Sequence, residues 1–227
     1  MKRITEPELM TEKEQTEAYA MANFDIPHGQ YIKELRRMFP NLKGIIRALD
    51  IGCGTADISI RFALEYPESI IEGFDGSKSM LKKGQETIQK KSLSNRIKIF
   101  RAFVTDQSNS CYDVILCNSV LHHLHNPKEL WDLVARLSKK SDKLHVFVKD
   151  LRRPSTIKEA KQLVKKYSEP SYAQVFKDDF FNSLRASFIP KEVKKQIADA
   201  GLSRWLKVKS MGDRHILIYG VIKNEKE

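Results

Sequence analysis

The sequence predicts an α/β chain of the doubly wound kind: a seven-stranded sheet, mostly parallel, with helices on both faces and a C-terminal antiparallel hairpin. Three observations predict it. Short apolar runs alternate with helical stretches as far as Val148, the rhythm of βαβ units. The glycine-bearing loop Gly52-Cys53-Gly54 directly follows the first of these runs, and ligands of such sheets bind at the C-terminal ends of strands. Finally, the apolar runs Trp205 to Lys209 and His215 to Ile222 are joined only by Ser210-Met211-Gly212-Asp213, and two strands joined by so short a turn are antiparallel.

Taken in order, the segment from about Glu6 to Phe39 reads as one or two polar amphipathic helices, broken near Pro27-His28-Gly29 and ended by Pro40-Asn41. Residues 1–44 are therefore expected to form an N-terminal helical lid packed on a domain of residues 45–227. Ile45 to Ile51 is a strand buried on both faces, stopped by glycines. A helix from Asp57 follows, with a carboxylate suited to its N-terminus and Pro67 after its end. Strand Ser69 to Phe74, helix Lys78 to Lys90, strands Ile97 to Phe103 and Tyr112 to Cys117, helix Lys128 to Leu137 and strand Lys143 to Val148 continue the alternation. Residues 149–188 break the rhythm with polar and aromatic side chains and read as a cap inserted over the strand ends. Pro190 to Ala200 then forms a helix with Gly201 just past its end, ahead of the hairpin.

At 227 residues the chain suits one domain. Its 41% hydrophobic and 30% charged residues exclude both a disordered and a membrane-embedded class. The polar start lacks the apolar core of a secretion signal, and no run approaches the roughly 18 apolar residues of a membrane span. A cytoplasmic chain with no membrane partner is expected. Cys53, Cys111 and Cys117 are odd in number and lack CxxC spacing, so neither a disulfide framework nor a metal site is expected. The net charge of +11 is spread over pairs such as Lys82-Lys83 and Lys194-Lys195. That spread fits solvated helix faces better than a nucleic-acid surface, which needs clustered cations.

Spacing narrows what the glycine loop holds. In the dinucleotide pattern GxGxxG a third glycine would stand at position 57, where Asp57 instead opposes a pyrophosphate. No GxxxxGK[ST] cradle for a nucleoside triphosphate is present.

Ala48-Leu49-Asp50-Ile51-Gly52-Cys53-Gly54-Thr55-Ala56 resembles the first motif of class I S-adenosylmethionine-dependent methyltransferases, an acidic residue followed by GxGxG, with Ala56 in place of the third glycine. The resemblance extends over about Ile45 to Pro127 and implies a Rossmann-like fold with S-adenosylmethionine as cofactor. It implies that Gly52 and Gly54 let the backbone approach the cofactor and that Asp50 faces its ammonium group. Asp75, 21 residues beyond Gly54, matches the second element and would accept the ribose hydroxyls, with Gly76 and Met80 near sugar and adenine. The third element departs from the family pattern. Where relatives carry an acidic residue, this chain has Arg101-Ala102-Phe103-Val104, leaving Ala102 and Phe103 to contact adenine, with Asp106 as a lesser carboxylate candidate. Tyr112 to Leu124 resembles the fourth element, setting Asn118 and Ser119 beside the methionine portion and His122 or His123 near the methyl group.

Methyl transfer from a sulfonium is an in-line displacement in which positioning and desolvation supply much of the acceleration. A base is needed only for an acceptor that must lose a proton, and His123, His122 and Asp150 are the candidates. Asn118-Ser119-Val120-Leu121 stands where amine-methylating nucleic-acid enzymes carry [DN]PP[YFW], and Cys117 reads as a buried apolar residue rather than a nucleophile. A small-molecule acceptor is thus the leading expectation, held by Tyr19, Tyr172 and an arginine pair, Arg152 and Arg153, suited to an anionic group. An RNA or protein methyltransferase and a non-catalytic S-adenosylmethionine-binding protein remain as alternatives. The oligomeric state does not follow from the sequence.

Overall fold

In a computed structural model, residues 1–7, 25–106 and 110–224 are described, with the side chains of 25–27 excepted. Strands β1 (Arg47–Ile51), β2 (Ile70–Asp75), β3 (Ile97–Arg101), β4 (Val114–Asn118) and β5 (Lys143–Leu151) pair in parallel. β7 (His215–Lys223) runs antiparallel to β5, and β6 (Leu206–Met211) antiparallel to β7. The order across the seven-stranded sheet is β3-β2-β1-β4-β5-β7-β6. The winding reverses between β1 and β4, so the loops after these two strands open a crevice where a ligand can enter.

Successive residues of a central strand face opposite sides of the sheet, and both sides are covered here. Val114 and Leu116 of β4 pack into a layer with α1 (Asp25–Met38), α2 (Asp57–Glu65) and α3 (Lys78–Lys90), whereas Ile115 and Cys117 pack with α4 (Lys128–Ser138) and α7 (Pro190–Asp199). Trp131 of α4 is fully buried, and burying a large side chain of this kind contributes about 1.5–3 kcal/mol. Two further helices, α5 (Ile157–Tyr167) and α6 (Gln174–Ala186), form a small core of their own around Ala160, Leu163 and Leu184, resting on Leu151 at the end of β5. They are the cap. Thr156 starts α5 by accepting the Glu159 amide, and Pro190 with Glu192 starts α7, the Glu192 carboxylate accepting the Ile189 amide.

The structure departs from the sequence expectations at several ends. The expected interruption at Pro27-His28-Gly29 is absent, because α1 runs through it. Proline is tolerated in a first turn, where no amide is needed, and Gly29 costs only about 1 kcal/mol of helix propensity. The helix is also no loose cover: Tyr31 is wholly buried, donating its hydroxyl to the Phe147 carbonyl at 2.9 Å and accepting the Cys117 amide at 3.1 Å. Residues 4–6 are not helical; the Ile4 amide donates to the Arg185 carbonyl at the end of the cap. β3 stops at Arg101 rather than Phe103, while β5 continues three residues past Val148 to Leu151 because β7 pairs with it throughout. Lys149 and Asp150 are therefore strand residues. The cap begins later than position 149.

Candidate active site

β1 ends in the turn Gly52-Cys53-Gly54, whose glycines take φ of 66° and 51°, left-handed values that side chains resist. A methyl group on Gly52 would also stand 2.3 Å from a Val120 methyl carbon. Ala56 holds the same backbone region, φ 63°, immediately before α2. This loop is pinned to β2 from two directions. The Cys53 amide donates to the Phe74 carbonyl at 3.0 Å, and the Gly54 amide donates to Asp75 Oδ2 at 3.0 Å. Asp75 Oδ1 accepts the Ser77 amide at 2.7 Å, just before α3. Burial raises the Asp75 pKa despite these two amides.

Asp50 lies beneath the loop, almost wholly buried, and accepts the Ser59 hydroxyl at 2.6 Å. Burial, opposed by Ser59 and assisted by the neighbouring Asp75 charge, pushes its pKa up to about 7. Asp57 does not stand as an open negative charge. Its Oδ2 meets Arg61 Nε and His28 Nδ1, each at 2.7 Å, so its opposition to a pyrophosphate is weaker than the sequence suggests.

At the end of β4, Ser119 takes φ of 57° and its amide donates to the Lys149 carbonyl. The turn that follows presents His122 and His123 with adjacent rings, 4.2 Å between centroids and tilted by 34°. His122 is buried. Its Nδ1 lies 2.5 Å from Asp150 Oδ1 and its Nε2 3.5 Å from Glu6 Oε1. Burial alone would lower the His122 pKa, but the Asp150 carboxylate outweighs it and raises the value. Burial and the adjacent His122 charge push His123 down to about 3, leaving that ring neutral.

These elements open onto one cavity of about 1290 Å³ between the strand ends and the cap. That exceeds the roughly 300–1,000 Å³ of a typical single-ligand pocket. Asp50, Gly52, Gly54, Asp75, Gly76 and Met80 line one end. Ala102, Phe103, Asn118 and Ser119 join them, and His122, His123 and Tyr172 line it further along. Asp150 does not line it and acts behind His122. Asp106 is turned away, accepting the Phe103 amide. Tyr19 lies outside the described residues.

The arginine pair is not at the cavity, which corrects the expectation for it. Arg152 donates to the carbonyls of Gly212 and Asp213, and buried Arg153 donates to the Ser187 carbonyl and the Glu192 carboxylate. The Arg152 guanidinium ties the end of β5 to the turn between β6 and β7, and that of Arg153 ties it to the junction of α6 and α7. Sequence reasoning missed Arg214, which lies over the Tyr167 ring at 3.6 Å and near Phe180 at 5.7 Å. It also missed Lys149, buried on β5 with Nζ 3.1 Å from Glu34 Oε2, and Glu6. Two charged residues ending an apolar run at Val148-Lys149-Asp150 were a readable signal of a site. For Glu6 there was none, since its partners lie far along the chain.

A model of the methyltransferase domain matches residues 42–200. Over 69 residues the chain is 41% identical to a demethylmenaquinone methyltransferase of Listeria welshimeri, the match covering 30% of this chain and 29% of that enzyme. The chain spans 29% to 42% of the length of the first curated relatives it matches. Among solved structures, a SAM-dependent methyltransferase from Aquifex aeolicus superimposes with a TM-score of 0.66 at 14% identity, over 93% of this chain and all (100%) of that one. The plantazolicin methyltransferase superimposes with a TM-score of 0.68 at 15% identity, over 94% and 91%. The chain belongs to the methyltransferase-domain family. Its fold is the Rossmann-like fold of the S-adenosylmethionine-dependent members, and S-adenosylmethionine is the cofactor that family and fold indicate.

Proposed function

We propose that this chain transfers a methyl group from S-adenosylmethionine to a small-molecule acceptor held between the sheet and the cap. The observation that carries this is the single cavity joining the Gly52–Asp75 end to the cap aromatics Tyr167, Tyr172, Phe176 and Phe180. In this reading Asp75 accepts the ribose hydroxyls, Asp50 faces the ammonium group, Ala102 and Phe103 flank adenine, and Asn118 and Ser119 hold the methionine portion. The methyl group then points toward the His122–His123 turn. The chain's part in the displacement is to align sulfur, methyl and acceptor and to exclude water. The proton of an O–H, N–H or S–H acceptor is released at that turn.

The cap suits a planar acceptor carrying an anionic group. Its rings offer stacking faces, and the Arg214 guanidinium lies at the cavity over the Tyr167 ring, with no side-chain hydrogen bond or ion pair among the described residues. A guanidinium so placed can take a carboxylate or phosphate through two parallel hydrogen bonds. The names of similar proteins support a small acceptor without bearing on its charge: the Listeria relative is named for demethylmenaquinone, and the plantazolicin enzyme was solved with a desmethyl analog and SAH.

Metabolite profiling with and without the gene, using methionine labelled in its methyl group, tests the reading. A labelled small molecule that disappears with the gene supports it. Label found only in RNA or protein favours a macromolecular acceptor, and no gene-dependent label favours a cofactor-binding protein without transfer activity.

A further inference from the structure

Beside the His122–His123 turn stands a carboxylate, Glu6, that the placement of cofactor and acceptor does not use. Residues 1–7 cross the turn after β4, and Arg3 fixes them there by donating to the carbonyls of His122 and Leu124 while stacking over Phe188. This sets Glu6 against two imidazoles. Glu6 Oε1 lies 3.5 Å from His122 Nε2 and 3.3 Å from His123 Nδ1, and the three donor atoms fall within 4.8 Å of one another.

Both distances are long for charge-assisted hydrogen bonds, which measure about 2.7–2.9 Å. They match another spacing. Nitrogen and oxygen ligands about 2.0–2.2 Å from a tetrahedral zinc ion stand about 3.3–3.6 Å from each other. The Pro7 carbonyl, 3.4 Å from the same His123 nitrogen, is likewise too far for a firm hydrogen bond.

The surroundings are those of a metal centre. His122 Nδ1 is held by Asp150 at 2.5 Å, which turns Nε2 toward Glu6, and metal-binding histidines ordinarily give their second nitrogen to a carboxylate in this way. Ser183 donates its hydroxyl to Glu6, 3.0 Å from Oε1 and 3.2 Å from Oε2.

We propose that Glu6, His122 and His123 bind a divalent transition-metal ion of the zinc class, with Asp150 and Ser183 orienting the ligands. Two imidazoles and one carboxylate form a set that leaves a coordination position open. Both imidazoles line the cavity, so the position is available to a ligand from that side. On the methyltransferase reading, an acceptor oxygen or sulfur that binds there has its pKa lowered and loses its proton to solvent before transfer; metal binding itself does not depend on that reading. The cysteine spacing gave no hint of the site, because its ligands come from two distant segments.

The test uses the full chain, stripped with a chelator and titrated with zinc chloride by calorimetry, with magnesium chloride as a hard-cation control. One zinc per chain is expected, with the dissociation constant rising about 10-fold to 100-fold in Glu6→Gln and in His123→Ala, and little change in Cys111→Ser, which removes an exposed thiol outside the cluster. Near-ultraviolet circular dichroism shows that each variant is folded. Absence of saturable zinc binding, or zinc affinity unchanged in both variants, overturns the proposal and leaves the cluster as a proton-bearing ion pair that fastens residues 1–7. SAH is titrated into the same samples. Failure of zinc with normal SAH binding defeats only the metal site, whereas zinc binding without SAH binding defeats only the methyltransferase reading.

Discussion

At the scale of single residues, Asp50 and Asp75, two of the carboxylates that line the cavity, have different burdens. Asp75 accepts two backbone amides and so holds the glycine loop to β2 as well as facing the cavity. Asp75→Ala should weaken SAH binding by about 1–3 kcal/mol, the cost of losing hydrogen bonds to a charged acceptor. It should also lower the melting temperature, because two amides lose their partner. The sequence shows only the first role, since an acidic residue at a strand end carries no sign of which amides it accepts. Asp50 has a folded pKa near 7, above that of an unfolded carboxyl. The sign follows from proton linkage: the unfolded chain releases this proton first, so the group removes stability as pH rises from about 4 to 7. Asp50→Asn should therefore stabilise the unliganded protein at pH 8, seen in urea denaturation, while flattening the rise in SAH affinity through pH 7. A variant less stable than the parent at pH 8 contradicts this reading of Asp50.

At the scale of elements, apolar runs bounded by glycine were legible because a parallel strand buried on both faces has few other sequences open to it. The first motif and the second and fourth elements around Asp75 and Asn118 were legible for the same reason, as each sits at such a strand's end. The last three residues of β5 were not, since Lys149 and Asp150 look like the start of a loop. Their charges are paired with tertiary partners, Glu34 and His122. The arginine pair misled in the opposite sense, because adjacency to a strand end does not show which way a side chain turns. Gly220 in β7 is a further reading available only from the structure: a methyl group there would stand 2.0 Å from the Trp205 carbonyl oxygen at the entry to β6. Glycine inside a strand often marks such a close backbone approach. Gly220→Ala should cost about 1–3 kcal/mol of stability by overpacking, measured by urea denaturation. Unchanged stability means that the hairpin shifts without cost.

At the scale of the molecule, the proposed reading assigns the cofactor to the strand ends of the family fold and the acceptor to the two helices that carry a small core of their own. Arg214→Ala should raise the acceptor KM about 10-fold to 100-fold, with Arg214→Lys a poor substitute because lysine lacks the planar fork. SAH affinity should remain within about twofold, an order-of-magnitude expectation for a side chain whose contacts are with Tyr167 and Phe180. Equal losses for acceptor and SAH show instead that Arg214 supports the whole cavity. The most direct measurement is calorimetric titration of the purified chain with SAH and, separately, with NAD. One-to-one SAH binding that weakens in Asp75→Ala, with no heat from NAD, is expected if the loop after β1 holds the sulfur nucleoside. Tight NAD binding with no response to SAH contradicts it.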